Sequence, residues 1–212
     1  MRYYVESDGR LYLVNRDGVL DLPHLEEIPY ELREVAPLRA DEETVFCVPR
    51  LDAHPREWVG KDEAPTRPDV SPRVRAAVHA SMPRVVVEAV CRRGSDILLV
   101  KGARGLTEGR WTLPGGFLQF GESPEEGLLR EIGEEIGAEG TIRSFLGVRT
   151  KLGKHTQLHW IMLFYDVRLD GEPKPNPDEI SEVRYLRSSE AARRLDDPTM
   201  AALLAGLPET DS

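Results

Sequence analysis

The chain reads as an α/β protein with a small, mostly β segment in front. Three observations carry that reading. Apolar runs rich in β-branched and aromatic residues recur from residue 84 onward, as in RVVVEAVC at 84–91 and HWIMLFYDV at 159–167, and such runs form strands. Between them stands one strongly signalled helix after Ser123, and helical patterns return at 189–195 and 199–205. Residues 1–70 show instead brief strand patterns punctuated by Ser7-Asp8-Gly9 and Arg16-Asp17-Gly18, both good turn sequences.

In the first segment, strands are expected at 2–6, 10–14 and 19–22, joined by those turns into a small antiparallel meander. Pro29 sits amid scattered apolar residues at 24–35, which predicts loop with at most a short helix. ETVFCV at 43–48 reads as a further strand, and APTRPDVSP at 64–72, with Pro65, Pro68 and Pro72, as a linker or extended arm. The division therefore falls between 1–70 and 71–212. His24 and His54 are isolated and read as surface or packing residues.

The second segment begins with Ser71-Pro72, which opens a helix through about Ala80 before Met82-Pro83 breaks it. A buried strand at 84–91, a turn at 92–96 and a second strand at 97–101 follow. A loop at 103–109 and a short strand at 110–113 deliver the chain to Pro114-Gly115-Gly116. Two glycines there allow backbone to approach a ligand or metal closely, or simply make a tight turn. Later strands are expected at 141–150, at 159–167 (the more apolar and central of the two) and at 182–186. The polar loop at 151–158 carries Lys151, Lys154 and His155, placed either to meet a phosphate or base or to be solvated.

Composition narrows the class. At 212 residues, with 40% hydrophobic and 31% charged content, the chain has enough material for a proper core. No apolar run approaches the ~20 residues that span a bilayer, and MRYYVESDGR at the start holds no apolar signal segment. The expectation is a cytoplasmic protein with no membrane partner. Cys47 and Cys91 each lie in an apolar, strand-like run and read as buried reduced thiols. A net charge of −9 argues against a nucleic acid duplex as partner. It leaves room for a small anion, because a bound metal supplies local positive charge.

The stretch GFLQFGESPEEGLLREIGEEIGA, from 116 to 138, carries the chemistry. Ser123 is a good N-cap, Pro124 suits the first helical position, and Glu126 completes a capping box. Gly137 can end the helix in a left-handed conformation. Leu128, Leu129, Ile132 and Ile136 share one face, which predicts burial. Glu131, Glu134 and Glu135 share a neighbouring face by their i, i+3, i+4 spacing. They crowd into the last turns, where the helix dipole disfavours negative charge. No lysine lies between Glu122 and Glu139, and Arg130 is the only local cation. A hard divalent cation resolves the conflict, since Mg²⁺ or Mn²⁺ prefers carboxylate oxygens and brings phosphates with it.

The spacing resembles the signature of the Nudix hydrolase family, G-x5-E-x7-R-E-U-x-E-E-x-G-U, with U a bulky aliphatic residue. Seven identities match: Gly116, Glu122, Arg130, Glu131, Glu134, Glu135 and Gly137. At a roughly one-in-fifteen frequency each, the chance odds are on the order of one in a million. Ile132 fits the first U, while Ala138 at the last is smaller than the pattern prefers. The resemblance implies an α/β/α sandwich with a mixed sheet. It also implies divalent-metal-dependent hydrolysis of a nucleoside diphosphate linked to another group, by water attack at phosphorus. By position, Glu131, Glu134 and Glu135 would be metal ligands, and the Gly115-Gly116 backbone would lie by the phosphates. Arg130 would orient a glutamate, its spacing suiting Glu126 or Glu134, and Glu122 would assist through a water or an ion pair. The general base would be one of the box glutamates or a remote one, for which Glu179 in Pro177-Asp178-Glu179-Ile180 is the choice.

Substrate is less defined. The NADH pyrophosphatase branch of the family carries an SQPWPFPQS motif and usually a four-cysteine zinc site. Here the equivalent stretch reads SFLGVRTKLGKHTQ and the chain has two cysteines. ADP-ribose-like compounds or nucleotide sugars are therefore preferred, with nucleoside triphosphates as runner-up. A non-catalytic nucleotide sensor and an isopentenyl diphosphate isomerase are the family's other classes. Residues 1–70 would cap the site, support a homodimer or add stability, without chemistry of their own.

Overall fold

The structure is a computed structural model, and it describes residues 1–38, 43–153 and 158–208. The chain forms two compact units. The first comprises Met1–Pro83 with Leu152–His159, the second Arg84–Lys151 with Trp160–Ser212.

The first unit is built on β1 (Arg2–Ser7), β2 (Arg10–Tyr12), β3 (Val14–Arg16), β4 (Val19–Asp21), β5 (Leu32–Pro37), β6 (Thr44–Pro49), β7 (Val59–Gly60) and helix α1 (Pro72–Ser81). Five strands form one sheet in the order β5-β6-β1-β2-β7, and β3 with β4 makes a separate hairpin. The turns behave as expected. Asp8 and Gly9 take φ of 51° and 69°, and Asp17 and Gly18 take 53° and 88°, the left-handed pair that suits a tight hairpin.

The meander expectation is corrected, because β1 pairs antiparallel with β2 but parallel with β6. Parallel pairing needs a long crossover, here the chain from β2 to β6, and nothing local in either strand encodes it. The linker expectation at 64–72 is corrected as well. Ala64 and Val70 are 0% and 2% exposed, packed in one cluster with Val74, Ala77 and Val78 of α1. Ser71 caps α1 by accepting from the Val74 N–H and donates its own hydroxyl to Asp21 Oδ1. Helix α1 therefore belongs to the first unit, and the division between units falls after Pro83 rather than after residue 70.

The second unit contains β8 (Arg84–Arg93), β9 (Asp96–Gly102), β10 (Trp111–Thr112), β11 (Gly115–Phe117), α2 (Pro124–Glu131), a π-helical turn at Ile132–Ile136, β12 (Glu139–Leu152), β13 (His159–Asp170), β14 (Ile180–Arg187), α3 (Ser188–Arg194) and α4 (Pro198–Ala205). Its seven-stranded sheet runs β10-β9-β8-β13-β12, with β11 added on β8 and β14 on β9. Only β8 and β13 pair in parallel among the registers described, so the sheet is mixed.

Alternate residues of the same strands feed two cores. Val87, Ala89 and Cys91 join Leu98, Val100 and Val167 under Leu128, Ile132 and Ile136 of the α2 segment. Val86 and Val90 join Ile97, Leu99, Met162 and Phe164 under Leu203 and Leu204 of α4. This two-sided burial is the α/β/α sandwich, and it explains why residues 85–91 of β8 read as an apolar run interrupted only by Glu88. Cys47 and Cys91 are both free and buried, as expected.

Candidate functional site

The helix that organises the site starts as its sequence dictates. Ser123 accepts from the Glu126 N–H, and the Glu126 carboxylate accepts from the Ser123 N–H at 2.8 Å, closing the capping box. That N–H holds the Glu126 carboxyl below the usual range. Gly137 ends the segment at φ 63°, where an added Cβ would lie 2.4 Å from the Lys174 carbonyl oxygen. Leu128, Ile132 and Ile136 are fully buried, but Leu129 remains 39% exposed, which corrects the four-residue face. The last turn is π-helical rather than α-helical. Such turns recur at functional sites, because the added residue per turn re-aims the side chains that follow. Here the turn itself carries Glu134 and Glu135.

Arg130 gathers the acidic residues around one guanidinium. Its Nε and Nη2 donate to the two oxygens of Glu122 at 3.2 and 2.8 Å. Its Nη1 donates to Glu131 at 2.8 Å and Glu134 at 2.9 Å, and Nη2 also reaches the Phe117 carbonyl at 3.0 Å. The expected pairing with Glu134 is present, whereas Glu126 is committed to the cap. The Arg130 contacts and the Gln119 N–H hold the Glu122 carboxyl below its ordinary value.

Burial defeats pairing deeper in the site. Desolvation pushes the Glu131 carboxyl up despite its bond to Arg130. It pushes Glu135 from 4.5 to about 8, although the Gly115 N–H donates to Glu135 Oε2 at 3.0 Å. Gly116 lies against Glu131, where an added Cβ would be 2.5 Å from the carboxyl carbon. A side chain there would have to push the Glu131 carboxyl aside, so glycine at 116 protects the placement of Glu131. Gly115–Phe117 is also a strand, antiparallel to β8 with Gly115 opposite Glu88, where the sequence suggested a close backbone approach to a ligand or metal, or a tight turn.

Glu179 is brought within electrostatic reach of both Glu131 and Glu135, whose carboxyls it helps to push up. Its carboxylate is held by Arg104 Nη2 at 2.7 Å. Glu88 was not singled out from the sequence. It is 6% exposed on β8, and burial first, then the nearby Glu135, pushes its carboxyl well above the ordinary range. The available signal was a lone charge inside RVVVEAVC. Lys151 lies on β12, paired with Asp197, while Lys154 and His155 fall outside the described residues.

Among the described residues, no three His, Cys, Asp or Glu side chains already stand together as a metal cage. Arg130 draws Glu131 and Glu134 to itself, and Gly115 holds Glu135, so an arginine and a cation would compete for the same oxygens. The donor set nevertheless suits a hard divalent ion. It consists of carboxylates only, and Glu131 and Glu135 are burdened by desolvation that a cation would relieve.

A sandwich whose glycine strand lies against a glutamate-rich helix segment defines a class, and comparison with known proteins agrees. The chain belongs to the NUDIX domain family, whose model matches residues 82–207. An ADP-ribose pyrophosphatase of Methanocaldococcus jannaschii is 31% identical over 103 residues, covering 49% of this chain and 61% of that protein. The nucleoside triphosphatase NudI of Salmonella arizonae is 31% identical over 120 residues, covering 51% of this chain and 85% of that protein. The crystal structure of a MutT NUDIX hydrolase from Burkholderia pseudomallei superposes with a TM-score of 0.53 at 28% identity, over 60% of this chain and 100% of that one. The chain thus spans less than two thirds of the archaeal relative's length. No helix among the described residues is long and apolar enough to cross a membrane.

Proposed function

We propose that the chain hydrolyses the pyrophosphate bond of nucleoside diphosphate derivatives with Mg²⁺ or Mn²⁺. The observation that carries this reading is the concentration of poorly compensated carboxylates at Glu131 and Glu135, against the glycine pair Gly115-Gly116 that opens the strand Gly115–Phe117. Glu131, Glu134 and Glu135 would hold the metal. When bound, it neutralises phosphate charge and acidifies water.

The chain's own residues then have distinct work. Arg130 orients Glu122, Glu131 and Glu134 through its fork of N–H groups. The Gly115 N–H fixes Glu135. Gly116 lets a phosphate approach backbone closely, because it places no side chain between the strand and Glu131. A carboxylate takes one proton from the attacking water as its oxygen bonds to phosphorus. The bridging P–O bond breaks, and two phosphate monoesters leave. Glu179 is our choice for that base, because it stands near Glu131 and Glu135 without belonging to the helix.

ADP-ribose-like compounds and nucleotide sugars are the proposed substrates, supported by the archaeal relative's name. Nucleoside triphosphates are the second reading, favoured by the larger share of the Salmonella relative that aligns. Phosphatase-coupled phosphate release tests both across ADP-ribose, nucleotide sugars and nucleoside triphosphates, with Mg²⁺ and with Mn²⁺. Turnover that survives undiminished in excess EDTA would overturn the metal requirement, and silence on the whole panel would overturn the hydrolase reading.

A further inference from the structure

Glu88 is the one acidic residue buried among the described residues. Strand alternation places it with Val86 and Val90, and the parallel register sets it beside Phe164, with Met162 beside Val86. Those four neighbours belong to the apolar cluster under α3 and α4. A strand selected for stability alone would carry leucine here, since an unpaired buried carboxylate is costly.

Among the described contacts, Glu88 has neither a hydrogen bond nor an ion pair of its own. The nearest cation, Lys151, is paired with Asp197 at the N-cap of α4. The carboxylate is not sealed in, however. Among the described residues, the enclosed polar side-chain atoms without a hydrogen-bond partner are Arg16 Nε, Trp111 Nε1 and Asp166 Oδ1, and the Glu88 oxygens are not among them. They therefore meet the surface through the 6% of the residue left exposed.

An aromatic pair is tied to this same neighbourhood. Lys151 Nζ lies 5.8 Å from the centroid of the Trp160 ring, and Trp160 lies 5.4 Å from the ring of Phe117. Phe117 is 49% exposed, and its carbonyl is held by Arg130. One strand thus presents Gly115 to Glu135, opposite Glu88, and two residues on presents a half-exposed ring.

We propose that Glu88 is a specificity residue: its carboxylate accepts a hydrogen bond from the exocyclic amino group of the substrate's nucleobase, while Trp160 and Phe117 supply the stacking surface. This rests on the reading of the neighbouring site as a pyrophosphohydrolase of nucleotide derivatives. With the site empty the buried carboxyl holds its proton; a nucleobase amino group favours the ionised form, which can only accept. Its position opposite Gly115 puts the recognised base next to the phosphates. A site built around a buried acceptor rejects the analogue that lacks the donor, because the acceptor is then left unpaired.

The test uses the full chain and the Glu88→Gln and Glu88→Leu variants, each checked by thermal melting. GMP, AMP and IMP are titrated calorimetrically in EDTA, so that no chemistry intervenes. IMP is the reference without an amino group. The expected result is about tenfold or greater preference of the parent for GMP or AMP over IMP, with most of that ratio lost in Glu88→Gln and all of it in Glu88→Leu. Mn²⁺ affinity, measured separately, should stay within about twofold of the parent in Glu88→Gln. A parent that does not discriminate, or a ratio unchanged in both folded variants, overturns the proposal. So does a tenfold loss of Mn²⁺ affinity in Glu88→Gln, which would assign the residue to the metal centre instead. A parent that discriminates between these nucleotides but hydrolyses nothing overturns the hydrolase reading and leaves the recognition role standing.

Discussion

Glu135→Gln should stabilise the metal-free protein, and by an amount that depends on pH. Burial raises the Glu135 carboxyl from 4.5 to about 8. A raised carboxyl favours the folded state fully below the unfolded value, and that advantage is lost as pH climbs through the folded value. At pH 7 in EDTA the folded protein must hold a proton that the unfolded chain would release, which costs about 3 kcal/mol at ~1.4 kcal/mol per pH unit. Glutamine carries no such cost, and its side-chain oxygen still accepts from the Gly115 N–H. The variant should therefore melt about 6–12 °C higher at pH 7, with the gap shrinking to about 1–3 °C near pH 5 and levelling off above pH 8. Melting followed by circular dichroism from pH 5 to 9 reads this directly. Adding Mg²⁺ should close or reverse the gap, because a ligand that binds only the folded parent stabilises only the parent. A gap that stays constant with pH, or a variant less stable at pH 7, would refute the desolvation argument.

Three further outcomes are expected. Glu131→Gln should lower kcat by about a hundredfold or more with its circular dichroism spectrum unchanged, since shape and helix propensity are kept while a charged oxygen donor is lost; a near-parental rate removes Glu131 from the mechanism. Arg130→Lys should lower stability by about 1–3 kcal/mol and turnover by tenfold or more, because a point charge cannot reach Glu122, Glu131 and Glu134 together as the fork does; chemical denaturation and steady-state rates would show it, and an unchanged protein would show that the cluster does not depend on the fork. Gly116→Ala should abolish most turnover, because the new methyl group would stand 2.5 Å from the Glu131 carboxyl carbon; retained kcat would mean that Glu131 can move aside without loss.

Much of the candidate site's helix was legible in the sequence because its determinants are local. The Ser123–Glu126 cap, Pro124 at the first turn and Gly137 at φ 63° all act within a few residues, so chain order nearly specifies them. The spacing of Glu131, Glu134 and Glu135 likewise declared an acidic surface short of cations. The strands of the second unit were recognisable because burial on both faces leaves an apolar run with little alternation.

What required the folded chain is non-local. Arg130 takes Glu122 as its doubly bonded partner because residues 117–122 fold back over the helix, a path its helical spacing does not encode. The π turn re-aims the end of the helix through packing, and its sequence differs in no obvious way from α-helix. Ala64 and Val70 are core residues in a proline-rich stretch that reads as a linker, because α1 is there to cover them. Glu88 shows the difference most sharply. In one dimension it is a single charge in an apolar run, and alternation alone would allow it to face water. Only the sheet, with a covering layer on each face and Gly115 across from it, makes that residue a buried carboxyl beside the acidic helix, since burial and desolvation belong to neighbours that are distant in the chain.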